Sequence, residues 1–241
     1  MRAIILAAGR GSRMEALTDD RPKCLLELRG KSLLSRQSEA LRAAGIEEVA
    51  IVTGYRSEML EGRAERTFHN ARWADTNMVS SLEMASDWLE RGPCIVSYSD
   101  IFFDTSAVKA LMNTEASLAV TFDPNWLRLW QDRFGDPLLD AETFRLSTSG
   151  QLTEIGQKPK TTAEVQGQYM GLLRFTPEAW AEMTAMRNSL PEETRDKMHM
   201  TGALQRLIQR GRISIEAIAY EGDWGEVDHG ADLSLYNEQR N

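Results

Sequence analysis

A glycine- and arginine-rich segment near the N-terminus has the residue types that bind phosphate groups. The apolar run at residues 3–6 (AIIL) predicts a buried strand, and residues 7–14 (AAGRGSRM) follow it directly. Glycines such as Gly9 and Gly11 let backbone N–H groups approach phosphate oxygens, and an arginine such as Arg13 matches their charge. The segment therefore predicts a polyphosphate-binding loop, with an ordinary turn between a strand and a helix as the alternative.

Two widespread phosphate-binding motifs are excluded by single positions. A dinucleotide-binding loop needs a third glycine where Met14 stands, and an acidic residue after the second strand, which ends instead in Thr53 and Gly54. A Walker loop needs a glycine where Leu25 stands, ahead of the sequence GKS at residues 30–32. We therefore interpret residues 30–32 as a turn before a helix.

A longer ordered pattern is more specific. Residues 6–14 (LAAGRGSRM) are followed by residues 21–28 (RPKCLLEL) and residues 30–34 (GKSLL). This order resembles the signature of nucleotidylyltransferases that activate sugar phosphates and phosphocholine. The resemblance implies that the glycine-rich loop holds a nucleoside triphosphate and that Lys23 stabilises negative charge at its α-phosphate. The nucleotide-binding positions that it implies in this part of the chain are Leu6, Ala7, Ala8, Gly9, Gly11, Arg13 and Lys23.

Two aspartates resemble the metal ligands of the same superfamily. Asp100 follows the predicted strand 94–98, at the carboxyl end, where ligands bind in open α/β sheets. Asp228 lies in residues 224–233 (WGEVDHGADL). Taken singly, either aspartate would be interpreted as a cap or turn residue. The resemblance implies that both hold Mg²⁺, which would neutralise charge on the triphosphate. The implied catalytic residues are Arg13, Lys23, Asp100 and Asp228.

Two further segments resemble acceptor-binding regions. Residues 154–159 (EIGQKP) lie where the superfamily often carries Glu-Lys-Pro, and the resemblance implies that Lys158 contacts the acceptor phosphate. Gln157 stands in place of the acidic residue, and a solvated surface lysine is the alternative. Residues 168–171 (QYMG) match a segment near the acceptor pocket of relatives, and we assign Tyr169 to that pocket.

Residues 75–82 (DTNMVSSL) replace the Gln-Gly motif with which sugar-phosphate enzymes of this superfamily recognise their base. An asparagine-rich version followed by Ser-Leu is typical of the phosphocholine cytidylyltransferase type. The resemblance implies that Asn77 and Ser81 lie near the base and ribose of CTP, and an amide can both donate to and accept from cytosine. The alternative is that Asn77 caps a helix that begins near Ser80.

Residues 126–143 (WLRLWQDRFGDPLLDAET) resemble a subgroup of these cytidylyltransferases that acts on phosphorylated head groups other than simple sugars. The implied acceptors are phosphocholine, aminoalkylphosphonates and phosphorylated amino acids. Trp126 and Trp130 are predicted to form a cage for a cationic ammonium group. Arg128 and Arg133 are predicted instead to pair with a carboxylate. The alternative is that the two tryptophans form one packed face of a helix. The acidic residues of this segment are Asp132, Asp136, Asp140 and Glu142.

The elements that must position these residues alternate between strands and helices in the first half of the chain. That order predicts a mostly parallel sheet with helices on both faces. The resemblance implies a single Rossmann-like, three-layer α/β/α domain with a mixed sheet, of the nucleotide-diphospho-sugar transferase type. Strands are predicted at residues 3–6, 49–53, 94–98, 117–122, 143–146, 152–155, 169–175 and 213–220, and helices at residues 35–44, 80–91, 105–113, 177–188 and 201–210. We expect one domain over residues 1–241, with a nucleotide-binding half (1–122) and a half that binds the acceptor and supplies the second metal ligand (123–241).

The composition excludes several other classes of protein. In the 241-residue chain, 36 Asp and Glu against 28 Lys and Arg give a net charge of −8, which disfavours binding to nucleic acid. Two cysteines and three scattered histidines provide neither a disulfide framework nor a zinc-binding spacing. The apolar run at residues 3–8 is too short for a signal peptide, and no stretch approaches the roughly 20 apolar residues of a membrane span. We expect a cytoplasmic protein without a membrane partner, and the sequence is compatible with a homo-oligomer.

Together these observations predict a Mg²⁺-dependent enzyme that transfers a cytidylyl group from CTP to a small phosphorylated head group and releases pyrophosphate. Two alternatives stay open. One is a sugar-1-phosphate nucleotidylyltransferase that uses another nucleoside triphosphate. The other is a non-catalytic nucleotide-binding regulatory module. The presence of Lys23, Asp100 and Asp228 argues against this second alternative.

Overall fold

A computed structural model describes residues 1–238. Its strands are β1 (Arg2–Ala7), β2 (Glu27–Leu28), β3 (Lys31–Ser32), β4 (Glu48–Thr53), β5 (Arg66–His69), β6 (Cys94–Tyr98), β7 (Ile101–Phe103), β8 (Leu118–Asp123), β9 (Phe144–Leu146), β10 (Leu152–Ile155), β11 (Gln168–Phe175), β12 (Ile215–Ala219) and β13 (Trp224–Glu226). Its α-helices are α1 (Leu33–Ala43), α2 (Met78–Glu83), α3 (Ser86–Arg91), α4 (Thr105–Asn113), α5 (Trp126–Phe134), α6 (Pro177–Asn188), α7 (Glu192–Asp196), α8 (Met200–Arg210) and α9 (Gly230–Glu238). Short 3-10 helices lie at Ser12–Thr18, Lys23–Leu25, Ser57–Leu60, Pro137–Leu139 and Thr162–Glu164. None of the helices in this described part is both long enough and apolar enough to span a lipid bilayer.

Seven of these strands form the central sheet, in the order β12-β8-β11-β6-β1-β4-β5. Strand β1 pairs in parallel with β4 and β6, β4 pairs in parallel with β5, and β8 pairs in parallel with β12. Within this sheet β11 alone runs antiparallel to its neighbours, β6 and β8. The prediction of a mixed, mostly parallel sheet is confirmed.

Side chains of the sheet strands alternate between two apolar clusters. Ile4 and Val96 pack in the cluster that includes α2, α3, α6 and α8. Their chain neighbours Ile5 and Ile95 pack in the cluster that includes α1, α4 and α5. Because helices cover both faces, these strands are apolar at successive positions rather than at alternate ones. The three-layer α/β/α arrangement predicted from the sequence is confirmed.

The carboxyl ends of the parallel strands meet at one edge of the sheet. Strand β1 leads into the glycine-rich loop there, and β6 leads to Asp100. Strand β11 runs in the opposite direction, so its first residue, Gln168, lies at the same edge, paired with Asp123 at the end of β8. In open α/β sheets ligands bind at this edge.

The structure departs from the predicted elements in two ways. The helix predicted at 80–91 is divided into α2 and α3, because Ala85 adopts φ −98° and ψ 16°, outside the helical range. Strands β2, β3, β5, β7 and β13 and helices α7 and α9 have no counterpart among the predicted elements, and α5 corresponds only to the packed-helix alternative for the two tryptophans. Both β7 and β13 have only three residues, too few to show an alternating pattern.

Candidate active site

The two predicted metal ligands are brought together by the unpredicted pairing of β7 with β13. These strands run antiparallel, with Ile101 opposite Glu226. Asp100 immediately precedes β7, and Asp228 lies two residues after the last residue of β13. The backbone N–H of Val227 donates to the carbonyl oxygen of Asp100 at 2.9 Å. One carboxylate oxygen from each of Asp100, Glu226 and Asp228 lies within 4.8 Å of the others.

Glu226 was not recognised in the sequence. Its signal is its position two residues before Asp228, which places both side chains on the same side of an extended segment. Burial, reinforced by the charges of the two aspartates, raises the pKa of Glu226 well above its usual value. A third carboxylate in such a position is stabilised when a cation is present.

The donor set fits a hard divalent cation. All three side chains offer carboxylate oxygens, which such ions prefer. The buried Oδ1 of Asp100 has no hydrogen-bond partner within the described residues, and an unsatisfied buried oxygen is costly unless something binds it. These carboxylates can therefore hold a divalent metal ion.

Lys23 lies between the two aspartates. Its Nζ donates to Asp100 Oδ2 at 2.9 Å and to Asp228 Oδ1 at 2.6 Å, and the residue is only 5% exposed. Burial alone would lower the pKa of Lys23, but the charges of the two aspartates outweigh it and the pKa is raised. The residue therefore carries a charged ammonium group at the centre of the site.

The glycine-rich loop packs against the lysine. Gly11 adopts φ +71°, and a Cβ at this position would come within 2.8 Å of Lys23 Cδ. Arg13 extends from the same loop, and its Nη2 donates to Asp228 Oδ1 at 2.7 Å. Burial alone would raise the pKa of Asp228, but Lys23 and two nearby guanidinium groups hold it below its usual value. The four predicted catalytic residues thus lie in one cluster.

Arg133 supports this cluster from within the protein. Its side chain is 0% exposed, and its Nε donates to Asp232 Oδ1 at 3.0 Å. Two further contacts join its guanidinium to Glu226 (3.6 Å) and Asp228 (3.7 Å). Asp232 Oδ2 in turn accepts the backbone N–H groups of Asp228 and His229, at 2.8 and 2.9 Å. The predicted pairing of Arg133 with an acceptor carboxylate is wrong, because protein carboxylates already surround this buried guanidinium.

We expect Arg133→Met to lower the free energy of unfolding by about 3–5 kcal/mol, because it removes the cation that pairs with the buried Asp232 and lies beside Glu226. Equilibrium unfolding in urea measures the effect. Arg128→Met is the matched control, because Arg128 is exposed on the same helix, and it should change stability by less than about 0.5 kcal/mol. Equal unfolding free energies for the two variants would show that Arg133 does not stabilise the cluster.

A smaller cavity of about 210 Å³ adjoins the cluster on the side of β1 and α2. All of the predicted nucleotide-binding residues except Ala7 and Arg13 line it. The side chain of Ala7 instead packs in the apolar cluster on the opposite face of the sheet. Trp73 and Thr76 also line this cavity and were not predicted, because no sequence pattern distinguishes them from ordinary loop residues.

The segment predicted to contact the base is held by several internal hydrogen bonds. Asn77 caps α2, since its Oδ1 accepts the backbone N–H of Met78 at 2.7 Å. The helix therefore begins two residues before the predicted start at Ser80. Ser81 Oγ accepts from Asn70 Nδ2 at 3.0 Å. Both residues line the small cavity, and their contact with a base stays a prediction. The alternative that Asn77 caps a helix is confirmed.

A larger cavity of about 690 Å³ lies beyond the acidic cluster. Tyr169, which the sequence assigns to the acceptor pocket, lines this cavity, with its ring edge-on to that of Tyr98 at a centroid distance of 5.8 Å. The β11 backbone allows this contact, because Gly171 has φ +78° and a Cβ there would come within 2.8 Å of the Tyr98 ring. Tyr98 and Asp100 line both cavities, so the two cavities meet at the acidic cluster.

The predicted tryptophan cage is wrong. Trp126 and Trp130 are 4% and 0% exposed. Trp130 stacks on Trp224 at a centroid distance of 6.1 Å, and Trp126 Nε1 donates to the carbonyl oxygen of Val165. The alternative, that the two tryptophans form one packed face of a helix, is confirmed. Both indole rings lie in the core beneath α5.

Two other predicted acceptor residues lie outside the larger cavity. Arg128 is on the exposed face of α5. The ammonium group of Lys158 donates to the carbonyl oxygens of Leu138 and Leu139, at 2.8 Å for the latter. Neither side chain is among the residues that line the cavity. In this structure Lys158 stabilises the turn that follows α5.

Comparison with known proteins supports the resemblance noted in the sequence. The profile described as the MobA-like NTP transferase domain matches residues 3–154. The chain is 36% identical to a CTP:phosphoglutamine cytidylyltransferase of Campylobacter jejuni, over 99% of this chain and 100% of the relative. It is 26% identical to a 2-aminoethylphosphonate cytidylyltransferase of Lancefieldella rimae, over 98% and 91% of the two chains. The inositol-1-phosphate CTP transferase structure from T. maritima shares the fold, with a TM-score of 0.77 at 20% identity over 98% of this chain and 93% of that one.

Proposed function

Because this chain belongs to the MobA-like NTP transferase family, we propose that it transfers a cytidylyl group from CTP to a small phosphorylated head group and releases pyrophosphate. The observation that carries the proposal is the junction of two cavities at one charged cluster. Lys23 and Asp100 lie where a nucleotide in the small cavity would meet an acceptor in the large one.

The reaction needs positioning and charge stabilisation rather than a general base. An oxygen of the acceptor phosphate or phosphonate is already anionic, and it attacks the α-phosphorus of CTP in line. The new P–O bond forms as the bond between the α-phosphorus and the bridging oxygen breaks, and that oxygen leaves with pyrophosphate. Holding two anions in line contributes much of such a rate enhancement.

The chain's own residues divide these tasks. Backbone N–H groups around Gly9 and Gly11 bind the triphosphate, and Arg13 neutralises charge at the entrance to the large cavity. The charged Lys23 stabilises negative charge on the α-phosphate and the leaving pyrophosphate. Asp100 and Asp228, with Glu226, would hold Mg²⁺. When bound, this ion would supply a Lewis acid for the phosphate oxygens.

The acceptor class follows from the relatives and from the large cavity. The named acceptors of the two sequence relatives above are phosphoglutamine and 2-aminoethylphosphonate, both small and phosphorylated or phosphonylated. A cavity with acidic and basic side chains suits such charged head groups better than a neutral sugar. We also propose that residues 1–122 bind the nucleotide, that residues 123–241 bind the acceptor, and that the protein acts in the cytoplasm, where CTP is available.

We expect kcat/KM for CTP to exceed that for UTP, ATP or GTP at least ~100-fold. A base site matched to a pyrimidine disfavours the larger purines. A uracil carbonyl in place of the cytosine amino group would set a hydrogen-bond acceptor of the base against an acceptor of the site. Pyrophosphate release, measured with each nucleotide and a panel of phosphorylated acceptors, tests this. Equal kcat/KM for CTP and GTP would favour a sugar-1-phosphate nucleotidylyltransferase. Binding of CTP without turnover of any acceptor would favour a regulatory module.

A further inference from the structure

One wall of the large cavity carries carboxylates without a counter-charge. Asp140 and Glu142 both line it, and neither forms an ion pair with a basic side chain in the part of the chain that the structure describes. Glu142 accepts one long hydrogen bond, 3.4 Å, from the Thr201 hydroxyl. Burial raises the pKa of Glu142, and the charge of Asp140 adds to this while the Thr201 bond opposes it. A bound cation would remove this unfavourable charge.

An unpartnered amide lies in the same cavity. Gln168, at the start of β11, is 9% exposed and lines the cavity. Its Oε1 is buried and has no hydrogen-bond partner within residues 1–238. Most buried side-chain polar atoms have a hydrogen-bond partner, so this oxygen can accept a hydrogen bond from a ligand. The side chains of Asp140, Glu142 and Gln168 thus offer three hydrogen-bond acceptors in one cavity. A primary ammonium group has three N–H donors to match them, whereas a quaternary ammonium group has none.

Helix α8 supplies the opposite charge. Arg206 lines the cavity and forms no ion pair within the described residues. Side chains lean toward the N-terminus of their helix, so Arg206 projects over Gly202, one turn earlier. A Cβ added to Gly202 would meet nothing within 4 Å, so there is open space below the guanidinium. Thr201, which contacts Glu142, lies on the same helix, and Arg206, Thr201 and Glu142 all line the cavity.

We propose that the large cavity recognises an acceptor with both charges of an amino acid, and this proposal rests on the function proposed above. The ammonium subsite is formed by Asp140, Glu142 and Gln168, and Arg206 binds the carboxylate. Because carboxylates and a guanidinium line the same cavity, an α-amino acid group bound there can form a charge-assisted hydrogen bond at each end. The acceptor class is therefore a phosphorylated amino acid or a close analogue, in preference to phosphocholine or a simple phosphorylated amine.

Four acceptors of similar size test the two charges separately. O-phosphoserine has both charges, phosphoethanolamine has the ammonium group alone, 3-phosphooxypropanoate has the carboxylate alone, and phosphocholine has a quaternary nitrogen without a donor. With CTP fixed at saturation, kcat/KM from pyrophosphate release should be at least ~10-fold higher for O-phosphoserine than for any of the others. Equal values for O-phosphoserine and phosphoethanolamine would overturn the carboxylate contact.

Two substitutions assign the contacts to residues. Glu142→Gln should raise the acceptor KM at least ~10-fold for the two primary amines and leave that of 3-phosphooxypropanoate nearly unchanged. Arg206→Met should raise KM for the two carboxylates and spare phosphoethanolamine. Glu154→Gln on β10 and Arg210→Met on α8 are the matched controls, because neither residue lines the cavity. Comparing acceptors on one enzyme variant separates lost recognition from impaired folding.

The experiment distinguishes the two proposals. If no acceptor is turned over with CTP by the wild-type protein, the proposed function fails, and calorimetric binding of the same four acceptors still tests the subsites. If turnover occurs but Glu142→Gln and Arg206→Met affect all four acceptors equally, the function stands and the charge-specific subsites are refuted. A KM effect that follows the charge carried by each acceptor supports both proposals.

Discussion

Asp228→Ala is expected to lower kcat at least ~100-fold at saturating Mg²⁺, the scale of losing several kcal/mol of charge stabilisation in the transition state. The carboxylate is almost fully buried and lies within 4.8 Å of two other candidate metal ligands. Its Oδ1 also accepts from Lys23 and Arg13. Removing it therefore takes away a proposed metal ligand and leaves two cations without their shared partner.

Pyrophosphate release measures the loss, and Mn²⁺ binding without nucleotide separates a metal defect from a catalytic one. Asp223→Ala is the matched control, because the side chain of Asp223 is 53% exposed and pairs with Arg29 outside the site. Asp228→Asn keeps the shape of the side chain and should show a similar loss of activity. Turnover near that of the wild-type protein in Asp228→Ala would rule out the metal-ligand assignment.

Lys23→Met should lower kcat by about 100-fold and raise the KM for CTP much less, because the ammonium group acts mainly where negative charge develops in the transition state. The substitution preserves side-chain length in a buried position and removes the charge. Steady-state kinetics with CTP and a saturating acceptor measures the two constants separately.

The control for this experiment is Lys31→Met, a lysine whose side chain is 53% exposed and pairs with Glu39 at the surface. Its kinetic constants should match those of the wild-type protein. If Lys23→Met raises only the KM for CTP, then the ammonium group binds the ground state and the transition state equally, and the proposed role is wrong.

The wrong predictions for residues 126–134 have one physical cause. The pattern of residues 126–134 supported both a packed helix and an exposed cage, since a helix repeats the same face every three to four residues whether that face meets the core or a ligand. Trp130 packs against Trp224 from a distant part of the chain. The reassignment of Arg133 has a similar origin, because its partner Asp232 lies on α9, a helix with no counterpart in the predictions.

Local sequence was sufficient for six of the seven strands of the central sheet, all except β5, and for the glycine-rich loop. Strands covered on both faces must be apolar throughout, and that leaves continuous runs such as residues 3–6 and 94–96. The loop is recognisable because close approach of its backbone needs glycines in a fixed order. Lys23, Asp100 and Asp228 were assigned because the segments around them resemble those of nucleotidylyltransferases, and their catalytic roles stay predictions.

The assembly of these residues into a site depended on long-range pairing. Strands β7 and β13 have three residues each, and each is stable as a strand only when it pairs with the other. No local sequence pattern therefore predicts them. Their pairing brings Asp100 to Asp228 and adds Glu226 as a third carboxylate. The charged and polar side chains of the large cavity also come from separate segments. Glu142 precedes β9, Gln168 lies on β11 and Arg206 lies on α8. Contacts between residues so distant in sequence are set by tertiary packing, because each contact gains its energy only when the other segments are already in place.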